Sequence, residues 1–217
     1  MQQESARKYL PAAGRDWSLP FYDPIVKLLG GDKARRILID QAALQPGHRV
    51  LDIGCGTGTM AVLLKQQGPD IAIIGIDPDP KALARARRKA ARAGVSVQFD
   101  QGFGDELPYS DASFDRVFSS FMFHHLPAEE KVKTLRAVVR VLKSGGRFHM
   151  LDFERSQHGA HGFIGRLLHS SERMNDNSVS RVLSLMKQAG FRDPRKVGER
   201  AMFSGLSGQI AYFQAVA

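Results

Sequence analysis

The chain has 217 residues, 43% hydrophobic and 24% charged, with a formal net charge of +9 at pH 7. These are the proportions of an ordinary globular protein, with room for one α/β domain and its additions. No apolar run approaches the length needed to cross a bilayer, Met1–Ser5 lacks the opening of a secretion signal, and the single Cys55 excludes an intramolecular disulfide or multi-cysteine metal site, so the cytoplasm is the default compartment.

Residues 1–15 carry little to tie them down. From Trp17 to Leu29 apolar and aromatic residues return, including Tyr22, and Pro24 suits the first turn of a helix capped by Asp23. Asp32 to Leu44 reads as a helix with Ala34, Ile37, Leu38 and Gln41 on one face, ended by Pro46-Gly47. The run Val50-Leu51-Asp52-Ile53 then reads as a buried parallel strand. Gly54-Cys55-Gly56-Thr57-Gly58 follows at once, and Thr59–Lys65 has helical composition. Strand, glycine turn and helix open a nucleotide-binding βαβ unit.

The glycine spacing is G-x-G-x-G, not the G-x-G-x-x-G of dinucleotide sites. Asp52, two positions before the first glycine, is awkward beside a pyrophosphate but suits a ligand with an ammonium group. The strand Ile71–Ile76 leads into Asp77, about twenty residues past the turn, where an acidic side chain binds ribose hydroxyls. A ribose, a cationic amine and no pyrophosphate fit S-adenosylmethionine better than NAD.

The helix 59–67 stops at Gly68-Pro69, Pro80 starts another that stops at Gly94, and Val95–Phe99 reads as a third strand. In the second helix Arg85, Arg87, Arg88, Lys89 and Arg92 stand apart from alanines at 82, 84, 86, 90, 91 and 93. That is the pattern of a solvated helix face, preferred here to a surface for nucleic acid or anionic lipid. A second basic cluster, Arg192, Arg195, Lys196 and Arg200, reads as a basic loop. The alternation predicts a parallel sheet with right-handed crossovers, and a ligand at the strands' carboxyl ends between the first and fourth strands.

Phe114–Ser120 reads as the fourth strand. Pro127 to Leu142 reads as a helix, with Glu129 and Glu130 in its first turn, Arg136, Arg140 and Lys143 towards its end, and Ser144-Gly145-Gly146 as its stop. Arg147–Phe153 is the expected fifth strand. Between Glu154 and Asn177 stand His158, His161 and His169, no two at i, i+4, so no metal site is expected. The patch Phe163-Ile164-Leu167-Leu168 suits a lid helix. A further helix runs from Ser178 to Gly190, and Arg195–Phe203 with Gln209–Val216 forms a hairpin around Gly205 and Gly208.

Val50–Gly58, Gly75-Ile76-Asp77-Pro78, Glu106-Leu107-Pro108-Tyr109, Ser113–Val117, Phe123-His124-His125-Leu126 and Leu142–Gly146 occur in that order. Together they resemble the class I S-adenosylmethionine-dependent methyltransferases, especially the small-molecule branch that includes quinone-biosynthesis enzymes. The resemblance covers residues 35–155. It implies a Rossmann-like, doubly wound, mostly parallel seven-stranded sheet with an antiparallel strand from the C-terminal hairpin. The whole chain is then one domain: a helical cap over 1–45, a cofactor-binding core over 46–153, a lid insertion over 154–177, and a helix and hairpin over 178–217.

The resemblance also implies site residues. Asp52, Gly54, Cys55, Gly56 and Gly58 would surround the amino-acid portion of S-adenosylmethionine, with S-adenosylhomocysteine as product. Asp77 and Pro78 would meet the ribose, Gly102 and Phe103 the adenine, and Ser119, Ser120 and Phe121 the methionine end. Phe103 departs from the family, which usually has an aspartate there to accept from the adenine amino group; Asp105 is the nearest substitute. His124 or His125 is the candidate base for an acceptor hydroxyl. Trp17, Tyr22, Phe123, Asp152 and Phe163 are candidates for the substrate pocket, whose apolar character suggests a small quinone-precursor-like or lipid-like acceptor. Three other readings stay open: an RNA methyltransferase, motivated by the charge; an NAD oxidoreductase; and a non-catalytic S-adenosylmethionine-binding module.

Overall fold

The computed structural model describes residues 30–67, 70–154, 177–201 and 209–217. Gly31–Asp40 forms α1 and Arg49–Ile53 forms β1, buried after its first residue. Thr59–Gln67 is α2, in which Met60 to Leu64 are all buried. A helix that is apolar all round must be covered on several sides, and α2 is packed by the sheet, α1 and the next helix. Ala72–Asp77 is β2 and Pro80–Arg92 is α3. The Asp79 carboxylate accepts the Lys81 amide at 2.8 Å and Pro80 takes the first position, so α3 starts where the sequence predicts.

Gln98–Gln101 is β3 and Phe114–Ser120 is β4. A single 3₁₀ turn, Phe123–His125, leads into α4, Ala128–Val141. Leu142–Glu154 is β5 and Val179–Ala189 is α5, capped by Ser178 and closed by Gly190 in the left-handed region. Arg192–Ala201 and Gln209–Val216 are β6 and β7.

The seven strands form one sheet in the order β3-β2-β1-β4-β5-β7-β6. The pairs among β1 to β5 are parallel, and β7 is antiparallel to both β5 and β6. This is the doubly wound, mostly parallel sheet with an antiparallel C-terminal hairpin that the sequence implies. One core lies under α1, α2 and α3, with Leu38, Leu64, Leu83 and Phe118; the other lies under α4 and α5, with Leu51, Val138, Phe148 and Leu185. The second basic cluster lies on β6, the sheet's edge, where charge discourages pairing with another chain.

Several boundaries differ from the sequence reading: β6 starts at Arg192 rather than Arg195, so the basic cluster read as a loop lies on a strand. The α1 helix ends at Asp40 rather than Leu44, and Ala43 takes a φ of 47°. The third strand starts at Gln98, because Gln98–Gln101 runs alongside Ile74–Asp77 to the end of β2. Ser144-Gly145-Gly146 is not a separate stop: β5 begins at Leu142, which pairs with Phe114, and the Ala217 backbone bonds Gly145 and Gly146. The cap residues before Gly30, the lid over 155–176 and the hairpin turn lie outside the described residues.

Candidate active site

Between β1 and β4 the strand order reverses, and at their carboxyl ends lies a cavity of about 380 Å³. Its floor is the glycine turn. The Asp77 carboxylate, at the end of β2, accepts the Gly56 amide on Oδ2 at 2.8 Å and the Asp79 amide on Oδ1 at 2.9 Å. The turn is also bonded to β2 through the Cys55 amide and the Ile76 carbonyl at 3.1 Å. From α3, Lys89 Nζ donates to the hydroxyls of Thr57 at 3.1 Å and Thr59 at 2.5 Å.

Two glycines of the turn have separate reasons. Gly54 has a φ of 62°, and a Cβ there would collide with the Met122 side chain across the cavity wall. Gly58 has a φ of 76°, and a Cβ would lie 2.7 Å from Ala86 Cβ, so this glycine lets α3 pack against the turn. Gly58 does not line the cavity, whereas Gly54, Cys55, Gly56, Asp77 and Pro78 do.

Asp52 lies beneath the floor, fully buried, with neither carboxylate oxygen in a well-formed hydrogen bond among the described residues. Burial pushes its pKa up to about 7, with Arg35 and the Ala61 amide opposing and the Asp77 charge reinforcing. Burial likewise lifts Asp77 to about 6, against the two amides it accepts. Cys55 is buried and its thiol is pushed well up, so it is inert packing of the turn.

A buried acid, a second acid on the cavity wall and a turn whose backbone is bare at Gly54 and Gly56 suit a ribonucleoside that carries an ammonium group.

Further lining comes from the loop after β3 and the turn after β4. Phe103, Gly104 and Asp105 line the cavity; Gly102 does not, and a Cβ there would lie 2.9 Å from Ile76 Cδ1. Ser120 and Phe121 line it, while Ser119 is buried. Phe121 has a φ of 57°, a strained value for a bulky residue, and the Arg35 guanidinium lies 5.2 Å from its ring centroid.

The paired histidines separate. His125 lines the cavity, together with Leu126, Pro127, Glu130 and Thr134. His124 is only 4% exposed and turns away to Asp152. Two residues expected in the substrate pocket stand elsewhere. Phe123 is fully buried in the core, with Lys131 Nζ 5.4 Å from its ring centroid, because the 3₁₀ turn points it under α4. Asp152 is fully buried and bonded to His124. Trp17, Tyr22 and Phe163 lie outside the described residues.

Arg35, Met60, Met122, Glu130 and Thr134 line the cavity without having been singled out in the sequence. Arg35 had one legible signal, a charge adjoining the apolar stripe of α1. Among the described residues no three of His, Cys, Asp and Glu are grouped to hold a metal, and no helix is long and apolar enough to cross a membrane.

Fold and cavity thus define a doubly wound α/β domain with a cavity at the switch point between β1 and β4. Residues 50–146 match the family described as "Methyltransferase domain". A demethylmenaquinone methyltransferase of Thermus thermophilus is 38% identical over 151 residues, 68% of this chain and 68% of the relative. A ubiquinone/menaquinone biosynthesis C-methyltransferase UbiE of a Geobacter species is 34% identical over 140 residues, 62% of this chain and 59% of the relative. The crystal structure of an S-adenosylmethionine-dependent methyltransferase from Aquifex aeolicus superposes with a TM-score of 0.65 at 19% identity, covering 84% of this chain and 89% of that one. The chain belongs to the S-adenosylmethionine-dependent methyltransferases.

Proposed function

We propose that this chain transfers the methyl group of S-adenosylmethionine to a small aromatic acceptor of the quinone-precursor class. The observation that carries the reading is one cavity lined both by Asp77 and the glycine turn and by His125, Leu126 and Thr134. The names of the Thermus and Geobacter relatives support the acceptor class.

S-adenosylmethionine supplies a methyl carbon on a positively charged sulfur, so an acceptor needs only an electron pair aligned behind it. Asp77 accepts from the ribose hydroxyls on the lone pairs its amide bonds leave unused. Asp52 offsets the ammonium group. Arg35, 5% exposed and with no partner for Nε among the described residues, takes the amino-acid carboxylate. Phe103 stacks on the purine and Asp105 accepts from its amino group. His125 takes the proton of an acceptor hydroxyl, raising electron density on the ring carbon that takes the methyl as its bond to the sulfonium breaks. That carbon's own hydrogen then leaves as a proton to water, restoring the aromatic ring and leaving S-adenosylhomocysteine.

The test is incubation with radiolabelled S-adenosylmethionine and the quinol form of a short-chain 2-prenyl-1,4-naphthoquinone, followed by extraction and mass analysis. Incorporation of one methyl on the ring supports the reading. Transfer only to tRNA, or none to a panel of phenols and quinols with tight cofactor binding retained, removes it.

A further inference from the structure

Beneath His125 lies a second layer of polar side chains that contributes nothing to the cavity wall. Asp152, at the end of β5 and fully buried, uses both carboxylate oxygens on the 3₁₀ turn. Its Oδ2 accepts the His124 backbone amide at 2.8 Å, and its Oδ1 lies 2.5 Å from His124 Nδ1 and accepts the Phe153 amide at 2.7 Å. Two backbone N–H groups fix the carboxylate in place, and its 2.5 Å contact with Nδ1 fixes the orientation of the His124 ring. Phe153 stands edge-on to that ring at 5.2 Å and 82°.

The His124 ring in turn carries His125, whose ring centroid lies 4.0 Å away at 40°. Only His125 of the two lines the cavity. His125 is half-buried on a single turn of 3₁₀ helix, and a fixed ring packed against it restricts its rotamers.

We infer that Asp152 and His124 are positioning residues: the carboxylate anchors the His124 backbone and ring, and that ring holds His125 towards the acceptor. The inference rests on the reading of His125 as the base. Asp152 and His124 stay behind the wall, while Arg35, Asp105 and Glu130 share the cavity with His125.

The test compares wild type with Asp152→Asn, His124→Asn and His125→Asn. Steady-state kinetics use the quinol of 2-prenyl-1,4-naphthoquinone, and titration calorimetry uses S-adenosylhomocysteine. A positioned base contributes ~100-fold or more, so His125→Asn loses about that much in kcat, and Asp152→Asn and His124→Asn lose at least ~10-fold in kcat. S-adenosylhomocysteine affinity stays within about twofold throughout, because none of the three is assigned to that ligand. His124→Asn keeps a donor for Asp152 and removes only the shelf, so it reports even if Asp152→Asn folds poorly.

The second readout is independent of turnover. In labelled protein, nuclear Overhauser contacts between the His124 and His125 rings are present in wild type and lost in Asp152→Asn, with the fold's methyl spectrum retained. Unchanged kcat in both positioning variants, a matching loss of S-adenosylhomocysteine affinity, or preserved ring contacts in Asp152→Asn would each overturn the inference. If the quinol is not methylated by wild type, the acceptor assignment falls, and the ring contacts alone decide the positioning.

Discussion

Asp77 and Gly56 are joined across 21 residues by a 2.8 Å bond from the Gly56 amide to Asp77 Oδ2. The same carboxylate accepts the Asp79 amide, so one side chain ties the glycine turn to the start of α3. Whatever binds through Asp77 therefore meets a turn whose shape Asp77 itself maintains.

Replacing it removes both functions together. Asp77→Ala is expected to lower S-adenosylmethionine affinity by ~100-fold, since bonds to a charged group are worth about 1.5–3 kcal/mol each. Asp77→Asn, which still accepts one amide, is expected to lose less. Titration calorimetry measures both, and unchanged affinity in Asp77→Ala would remove the ribose assignment.

The two buried acids make stability and affinity respond to pH in opposite senses. Asp52 and Asp77 titrate at about 7 and about 6 in the folded chain, against an ordinary value of 3.8. Between about pH 4 and 7 the folded state holds protons that the unfolded chain has released, so the contribution of these acids to ligand-free stability declines as pH rises through that window. A ligand ammonium selects ionised Asp52, so S-adenosylmethionine affinity is expected to climb from about pH 5 to about pH 8. Asp52→Asn should flatten the upper part of both curves, read by thermal melts and calorimetry.

His149 supplies an acid-sensitive counterpart away from the cavity. Its ring is buried, stacked at 5.4 Å on Phe118, and neither nitrogen has a hydrogen-bond partner among the described residues. Burial, helped by Arg116 and Arg147, pushes its pKa down to about 3. The unfolded chain therefore takes up a proton below 6.5 that the folded chain refuses, costing about 1.4 kcal/mol of stability per pH unit down to about 3. His149→Phe keeps the stack and lacks the proton site. Urea unfolding at pH 7 and pH 5 is expected to show a smaller acid loss for the variant than for wild type.

Gly58 and Gly94 separate packing from conformational strain. Gly58→Ala combines a φ of 76° with a Cβ 2.7 Å from Ala86, and is expected to cost roughly 2–4 kcal/mol. Gly94→Ala has a φ of 65° but nothing within 4 Å, and is expected to cost only about 1 kcal/mol. Equal losses in denaturant unfolding would remove the packing role given to Gly58.

Phe103 tests how the purine is held. Phe103→Ala is expected to weaken S-adenosylmethionine about tenfold, within the 1–3 kcal/mol of a base stacked on an aromatic ring. Phe103→Leu, which keeps apolar bulk without the π face, should fall between, as measured by calorimetry.

Much of the frame was legible because it is written locally. The apolar run to Ile53, the glycines at 54, 56 and 58, and the alternation of strand and helix patterns each depend on near neighbours along the chain. They specify a parallel sheet reversing between β1 and β4, with a turn at that reversal. The boundary at Leu142 was not legible, since Leu142 joins the sheet through Phe114, and Gly145 and Gly146 are held by the distant Ala217 backbone.

The acceptor side was decided in three dimensions. Adjacent histidines at 124 and 125 look alike in sequence, yet one is drawn inward by a carboxylate 28 residues away and the other is left on the cavity wall. Phe123, next to them, goes into the core, and Arg35 arrives from a helix outside every motif. Hydrophobic periodicity tells which way a side chain points along a regular helix or strand. At a strand end or a single 3₁₀ turn there is no period to extend, and direction is settled by whichever long-range partner satisfies the buried polar group.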